Sequence, residues 1–180
     1  MSQQFKIITY ANRMLKIFTN GEVHRLYTRK DGSYNHQFRI IPNIDNSGGY
    51  NIIVINKQRI LRHRLLASHF VNNPKPDIYK EVDHIDRNPL NNDVSNLRWA
   101  DDIIQSNNRC GYGKLGEKYI SIEKGSNKKK RSPNDKYMFL VRSKIYGSHK
   151  KRFDVNEYSL DDVIKYRNDY FKNKGFIMSY

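Results

Sequence analysis

Val82-Asp83-His84-Ile85-Asp86-Arg87-Asn88-Pro89-Leu90-Asn91-Asn92-Asp93-Val94-Ser95-Asn96-Leu97-Arg98-Trp99 is the stretch whose reading decides the fold. Two short apolar pieces, around Val82 and at Leu97 to Trp99, bracket a polar loop full of Asn and Asp. Asp101 and Asp102 follow, and either side chain can cap a helix start. The expected local order is strand, long loop, strand, helix.

Asp83 and His84 are adjacent, so at a strand end their side chains point to opposite sides. One can ligate a cation while the other faces a water. An imidazole with an unperturbed pKa near ~6.5 serves as a base around neutral pH. A carboxylate beside it supplies a hard oxygen donor for a divalent ion. Together they suit the hydrolysis of a phosphodiester, which needs a proton acceptor and a cation to offset charge on the leaving oxygen.

Upstream, residues 1–62 read as short strands. Lys16 to Phe18 and Glu22 to Tyr27 flank Asn20-Gly21, a two-residue hairpin signal. Gln37 to Ile41, Tyr50 to Ile55 and Arg59 to Leu61 are rich in β-branched and aromatic residues, which predicts a small antiparallel sheet. From His63 the period changes: Leu65, Leu66, His69 and Phe70 share a helical face, predicting a helix over 63–71 before the breaker-rich run Asn72 to Pro76. His63 and His69 read as packing residues of that helix.

Downstream, three glycines between Cys110 and Gly116 mark a linker over 111–117. Strands are expected at Tyr119 to Ile122, Tyr137 to Arg142 and Lys150 to Phe153. A last helix is capped by Ser159, with Asp161 and Asp162 in its first turn and Val163, Tyr166, Tyr170 and Phe171 at helical spacing. The net charge of +15 is uneven: residues 1–112 carry +6, residues 113–153 carry +10 and residues 154–180 carry −1. A basic excess in one segment is the footprint expected for a phosphate backbone.

One cysteine, Cys110, excludes an intrachain disulfide framework and a zinc site built from several thiolates. Oxygen and imidazole donors then suit magnesium, manganese or calcium, with Mg2+ or Mn2+ the expected cofactor. No apolar run reaches the ~18 residues of a membrane span, and the start MSQQFKIITYANR lacks the apolar block of a signal peptide. A soluble, intracellular protein is expected, with no membrane partner and no small-molecule cofactor.

The string VDHIDRNPLNNDVSNLRW resembles the HNH family of the ββα-metal nucleases, in particular the homing-endonuclease branch found in phages and large DNA viruses. The resemblance covers about 27 residues, with a looser lead-in at Tyr50 to Val54 and His63-Arg64-Leu65-Leu66. It implies that His84 is the general base, Asp83 binds the divalent ion and Asn96 braces the loop carrying the His. An Asn nine residues after Asn96 would complete the metal site, and Gln105 stands there. Asn108, one helical turn on, is the alternative ligand. With 20 Asn in the chain, Asn88, Asn91, Asn92, Asn107 and Asn108 carry little weight individually. Three strands followed by one helix also resemble an AP2-type DNA-binding domain, which lays its sheet in the major groove.

The expectation is thus an α+β protein: an HNH domain over 1–110 with its ββα-metal motif at 82–109, a linker at 111–117 and an AP2-like domain over 118–180. It would be a site-specific homing-type endonuclease of viral or mobile-element origin acting on duplex DNA in the cytoplasm or nucleus of a host, with a monomer favoured. Candidate DNA contacts are Arg98 and Arg109 near the motif, the loop run Lys128, Lys129, Lys130 and Arg131, and Arg142, Lys144, Lys151 and Arg152 by the last strands. The alternative is a catalytically disabled, HNH-derived DNA-binding protein.

Overall fold

The computed structural model describes residues 4–29, 31, 34–45, 48–109, 115–125 and 134–176. Cys110 and the run Lys128 to Arg131 lie outside the described residues. By contacts the chain divides into two units, Met1–Ala100 and Asp101–Tyr180, and it is a mixed α+β protein of small antiparallel sheets with few helices.

In the first unit, β1 (Phe5–Tyr10), β2 (Arg13–Phe18), β3 (Val23–Thr28) and β4 (Tyr34–Ile40) form an antiparallel meander in chain order. β1 has no counterpart in the sequence reading. It turns into β2 through Ala11 and Asn12, both at positive φ (47° and 59°), a two-residue turn that carries no glycine to announce it. The β2–β3 connection corrects the expected two-residue hairpin. Phe18 N donates to Glu22 O at 3.0 Å and Gly21 N to Phe18 O at 3.1 Å, leaving a three-residue loop with Gly21 at φ 92°, where glycine is unstrained.

A second sheet joins β5 (Ile44–Asp45), β6 (Asn51–Ile55) and β7 (Gln58–Leu61). Its β6–β7 turn, Asn56-Lys57, is also at positive φ (48° and 67°). Asn56 ties the two tight turns together, donating from Nδ2 to Ala11 O at 2.6 Å and accepting from Arg13 Nε at 3.2 Å.

Helix α1 (Arg62–Phe70) follows β7 without a side-chain cap and with no acid in its first turn, so packing rather than capping sustains it. Leu65, Leu66 and Ala67 are buried with Leu15, Ile17 and Val23 of the first sheet, Ile53 and Ile55 of the second, and Val82 and Leu97. Each such Leu, Ile or Val side chain contributes roughly 1.5–3 kcal/mol by leaving water. Arg62 is buried at the head of α1 and donates to Gly21 O, Ile41 O and Pro42 O at 3.1, 3.0 and 3.2 Å.

β8 (Glu81–His84) and β9 (Leu97–Ala100) form a two-stranded ladder pairing Val82 with Trp99, Asp83 with Arg98 and His84 with Leu97. The Trp99 indole donates to Val71 O at 3.0 Å, which ties β9 to the end of α1. The expected strand, loop and strand are present, and the loop ends in a 3-10 turn at Val94–Asn96.

The second unit opens with α2 (Asp102–Asn108), capped by Asp101, whose Oδ1 accepts from Ile104 N at 2.7 Å. The sequence reading ends its first module at residue 110, whereas the contact division assigns α2 to the second unit. Ile103 is buried there with Ile120, Tyr137, Phe139, Val141, Phe153, Val163 and Phe171. Asp102 accepts from Ser143 Oγ at 3.0 Å and Lys144 N at 2.6 Å, and Asp101 from Tyr146 Oη at 3.0 Å.

β10 (Ile120–Glu123), β11 (Lys136–Ser143) and β12 (Gly147–Asp154) make a three-stranded antiparallel sheet, followed by α3 (Leu160–Asn173). The Ser159 hydroxyl accepts from Asp162 N and the Asp162 carboxylate from Ser159 N, a complete capping box. No helix among the described residues is long and apolar enough to cross a membrane.

Candidate active site

His84 closes β8 with only 5% of its surface exposed. Its Nε2 lies 3.4 Å from Asn92 Oδ1, and the Asn92 amide nitrogen is committed to Leu90 O at 3.0 Å. Asn92 therefore presents an acceptor, which favours the tautomer with the proton on Nε2 and the lone pair on Nδ1. Burial pushes the imidazole pKa below 6.5, opposed by the Asn92 bond and by Asp86 and Asp83. That direction favours the neutral ring, the form a proton acceptor needs.

Asp83 points the other way from the same strand. Arg98, its cross-strand partner, places Nε and Nη2 at 2.9 and 2.8 Å from Asp83 Oδ2. The neighbouring pair Arg64–Glu81 anchors the start of the same strand to α1.

The loop after His84 is built by side chains replacing backbone partners. Asn96 Oδ1 accepts from Asp86 N at 3.0 Å, and its Nδ2 donates to Asp86 Oδ1 and to Asn91 O, both at 2.9 Å. Asp86 also accepts from Asn88 N at 2.8 Å and from Asn91 Nδ2 at 2.7 Å. These bonds, led by the one from Asn91, hold the Asp86 carboxyl below its usual pKa. Asn88, Asn91 and Asp93 each accept from the backbone two residues on, the Asx turn that short polar side chains prefer. Composition alone gave Asn88, Asn91 and Asn92 little weight. The repeated two-residue spacing of Asx side chains was the signal that would have singled them out.

Two further residues close on His84. The His63 ring on α1 stands edge-on to His84 with centroids 4.8 Å apart, and Tyr50 lies 5.2 Å from His63 and 6.1 Å from His84. His63 is 3% exposed, and burial, then His84 and Arg64, push its pKa down to about 3.

The remaining candidates fall elsewhere. Gln105 is half-buried and Asn108 buried on α2, in the second unit, and Arg109 is exposed at the end of that helix. Among the described residues there is no cluster of three or more His, Cys, Asp or Glu side chains suited to a metal. The Asp83 carboxylate is nonetheless a hard oxygen donor of the kind a divalent ion takes.

On the C-terminal sheet, Tyr137, Phe139 and Val141 pack inward, so Met138, Leu140 and Arg142 face outward. Across the ladder Arg152 pairs with Met138 and Lys150 with Leu140, which puts both on that open face. Arg152 also holds Glu123 through two bonds, at 2.5 and 3.1 Å. Lys144 sits in the turn after β11. Lys151 lies on the inner side, its ammonium 4.2 Å from the Tyr166 ring centroid and 5.2 Å from that of Phe153. Lys150, which the sequence reading passed over, takes the outward place beside it.

Residues 61–103 match a family model described as HNH endonuclease. A solved structure described as "DNA binding and cleavage by the HNH homing endonuclease I-HmuI" is 29% identical, with a TM-score of 0.38. The match covers 50% of this chain and 48% of that one, so the chain spans about half the length of the solved relative. Comparison with curated proteins gives no match.

Proposed function

We propose that the chain is a metal-dependent DNA endonuclease. The observation that carries this reading is the β8 end itself, where a buried, neutral His84 held by Asn92 sits back to back with Asp83. The HNH endonuclease match over residues 61–103 spans both.

His84 accepts a proton from the attacking water at Nδ1 while Asn92 keeps Nε2–H directed away. One phosphorus–oxygen bond forms as another breaks, and the imidazolium holds the displaced proton until it returns to solvent or to the leaving oxygen. Asn96 acts on the loop rather than on the substrate, fixing the chain that follows His84. Asp83 is the carboxylate ligand for a divalent ion, Mg2+ or Mn2+. The ion, when bound, offsets charge on the phosphoryl and leaving oxygens. A proton acceptor of this kind contributes roughly 10² to 10⁴-fold.

The outward face of the β10–β12 sheet, with Arg142, Lys150 and Arg152, supports an AP2-like reading in which the sheet meets duplex DNA. Arg is the commonest base-edge partner, whereas Lys more often meets phosphate. A binding module in the same chain lengthens the recognised site and raises the effective concentration of the nuclease at it, which supports a site-specific, homing-type activity. A monomer has one site and nicks.

The test is cleavage of supercoiled plasmid with Mg2+ or Mn2+ by the wild-type chain and by His84→Ala. Nicking by the wild type alone, abolished by EDTA, is the expected result. Retained DNA binding with no cutting under any divalent ion would make the chain a disabled, HNH-derived binding protein instead.

A further inference from the structure

We infer that Met138 and Leu140, on the open face of the C-terminal sheet, are specificity-determining residues that read the C5-methyl groups of thymines in the major groove. This rests on the reading of that face as a duplex-DNA surface.

Alternate residues of β11 share a face. Tyr137, Phe139 and Val141 are buried in the core of the second unit, and both of its helices put their buried apolar residues there: Ile103 from α2, Val163 and Phe171 from α3. The opposite row is Lys136, Met138, Leu140 and Arg142, charged at its two ends and apolar in the middle. A sheet face turned to water usually carries polar residues. Met138 and Leu140 break that pattern while staying half-buried.

Their neighbours are small or basic. The register sets Ser121 and Arg152 on either side of Met138, and Lys150 opposite Leu140. Long basic side chains lay aliphatic stems along apolar neighbours and carry the charge beyond them. Arg152 is committed to Glu123, and Arg142 stands at the other end of β11 from that pair. Leu140 thus lies between two cations, Arg142 along its own strand and Lys150 across the ladder.

Phosphates account for the cations of such a face but not for its apolar centre, because a phosphate contact is made by charge and hydrogen bonds. On the base edges of the major groove, donors and acceptors are interrupted by one apolar group, the thymine C5-methyl. Two apolar side chains within a basic rim match that chemistry, with the cations on phosphates and guanine edges and Met138 and Leu140 on the methyls.

The experiment selects duplexes from a random pool with the full chain in EDTA. Affinity is then measured for a selected duplex and for copies carrying deoxyuridine in place of thymidine, one position at a time and at all positions. Deoxyuridine keeps the base pair and removes only the methyl. Wild type should lose about fourfold for each contacted methyl, at one or two positions, with an unchanged salt slope. Leu140→Ala and Met138→Ala should each bind the thymidine duplex more weakly and no longer distinguish it from deoxyuridine at one of those positions. Equal affinity of wild type for both duplexes, a small loss spread over every thymine, or full discrimination in both variants would overturn the inference and leave the DNA-binding face intact. The wild-type arm decides the matter even where a variant fails to fold. Failure to select any duplex, or self-association through this face lost in Leu140→Ala, would remove the DNA-binding reading and the inference together.

Discussion

Asp83 and Arg98 face each other across the β8–β9 ladder, and two guanidinium nitrogens converge on one carboxylate oxygen, Oδ2. Arg98 thereby aims the carboxylate that the proposed chemistry assigns to the divalent ion. Asp83→Asn keeps the shape and removes the charge. Cleavage should fall by about 10²-fold or more, with a higher Mn2+ requirement. The Arg98 side chain is about a third exposed, so solvent screens the pair and stability should drop by no more than about 1 kcal/mol. Nicking across a Mn2+ titration and a urea melt measure the two effects separately.

Asn96 makes three bonds into the loop, one as acceptor and two as donor. Asn96→Ala leaves those groups without it and should cost about 1–3 kcal/mol. Asn96→Asp should be at least as damaging, because it sets a carboxylate oxygen against Asp86 Oδ1 and Asn91 O. A milder Asp variant in chemical denaturation would show that the donor side of the amide does not matter.

The folded protein keeps His63 neutral down to about pH 3, whereas the unfolded chain protonates it near 6.5. Between those values the unfolded state binds more protons, so stability is greatest above pH 6.5 and falls as pH falls, by up to about 1.4 kcal/mol per unit. His84, also lowered by burial, acts in the same direction. In His63→Phe the fall between pH 6.5 and 4 should flatten but persist. Urea midpoints across that window read it, and an unchanged slope would mean that His63 titrates normally.

Gly21 is required twice over. Its φ of 92° suits glycine, and an added Cβ would stand 2.9 Å from the backbone oxygen of Asn92. Gly21→Ala should destabilise by roughly 1–3 kcal/mol and lower cleavage, since the strain falls on the residue that holds His84. A thermal melt within a degree of wild type would refute this.

On the second unit, Arg142→Ala should cost about 1–3 kcal/mol of DNA affinity and relax preference at one base position. Lys150→Ala should weaken all sequences alike and reduce the salt slope by about one. Lys151→Ala, by contrast, should act on stability through the Tyr166 contact. Binding isotherms over a range of salt concentrations separate the three.

The sequence showed clearly whatever depended on short-range chemistry. The β8–loop–β9–α2 order, the Asp101 cap, the Ser159 cap and the α1 face all follow from periodicity and capping. β1 was not visible because Ala11-Asn12 turns without glycine or proline, and its residues are mostly exposed. His63 read as packing, and it is packed; what no spacing conveyed is that its neighbour is His84, 21 residues away across α1 and β8. Lys150 and Lys151 are adjacent and chemically alike, and only the strand register assigns one to the open face.

The β2–β3 loop has a practical consequence for anyone trimming the chain. The family match begins at residue 61, a natural place to start a minimal fragment. Yet Thr19 O accepts from Val94 N at 2.8 Å, Gly21 backs onto Asn92, Arg62 reaches Gly21 O and Tyr50 flanks the two histidine rings. A fragment cut at residue 61 discards the floor on which the loop after His84 is laid, so the smallest autonomous piece carrying that loop must include the N-terminal hairpins.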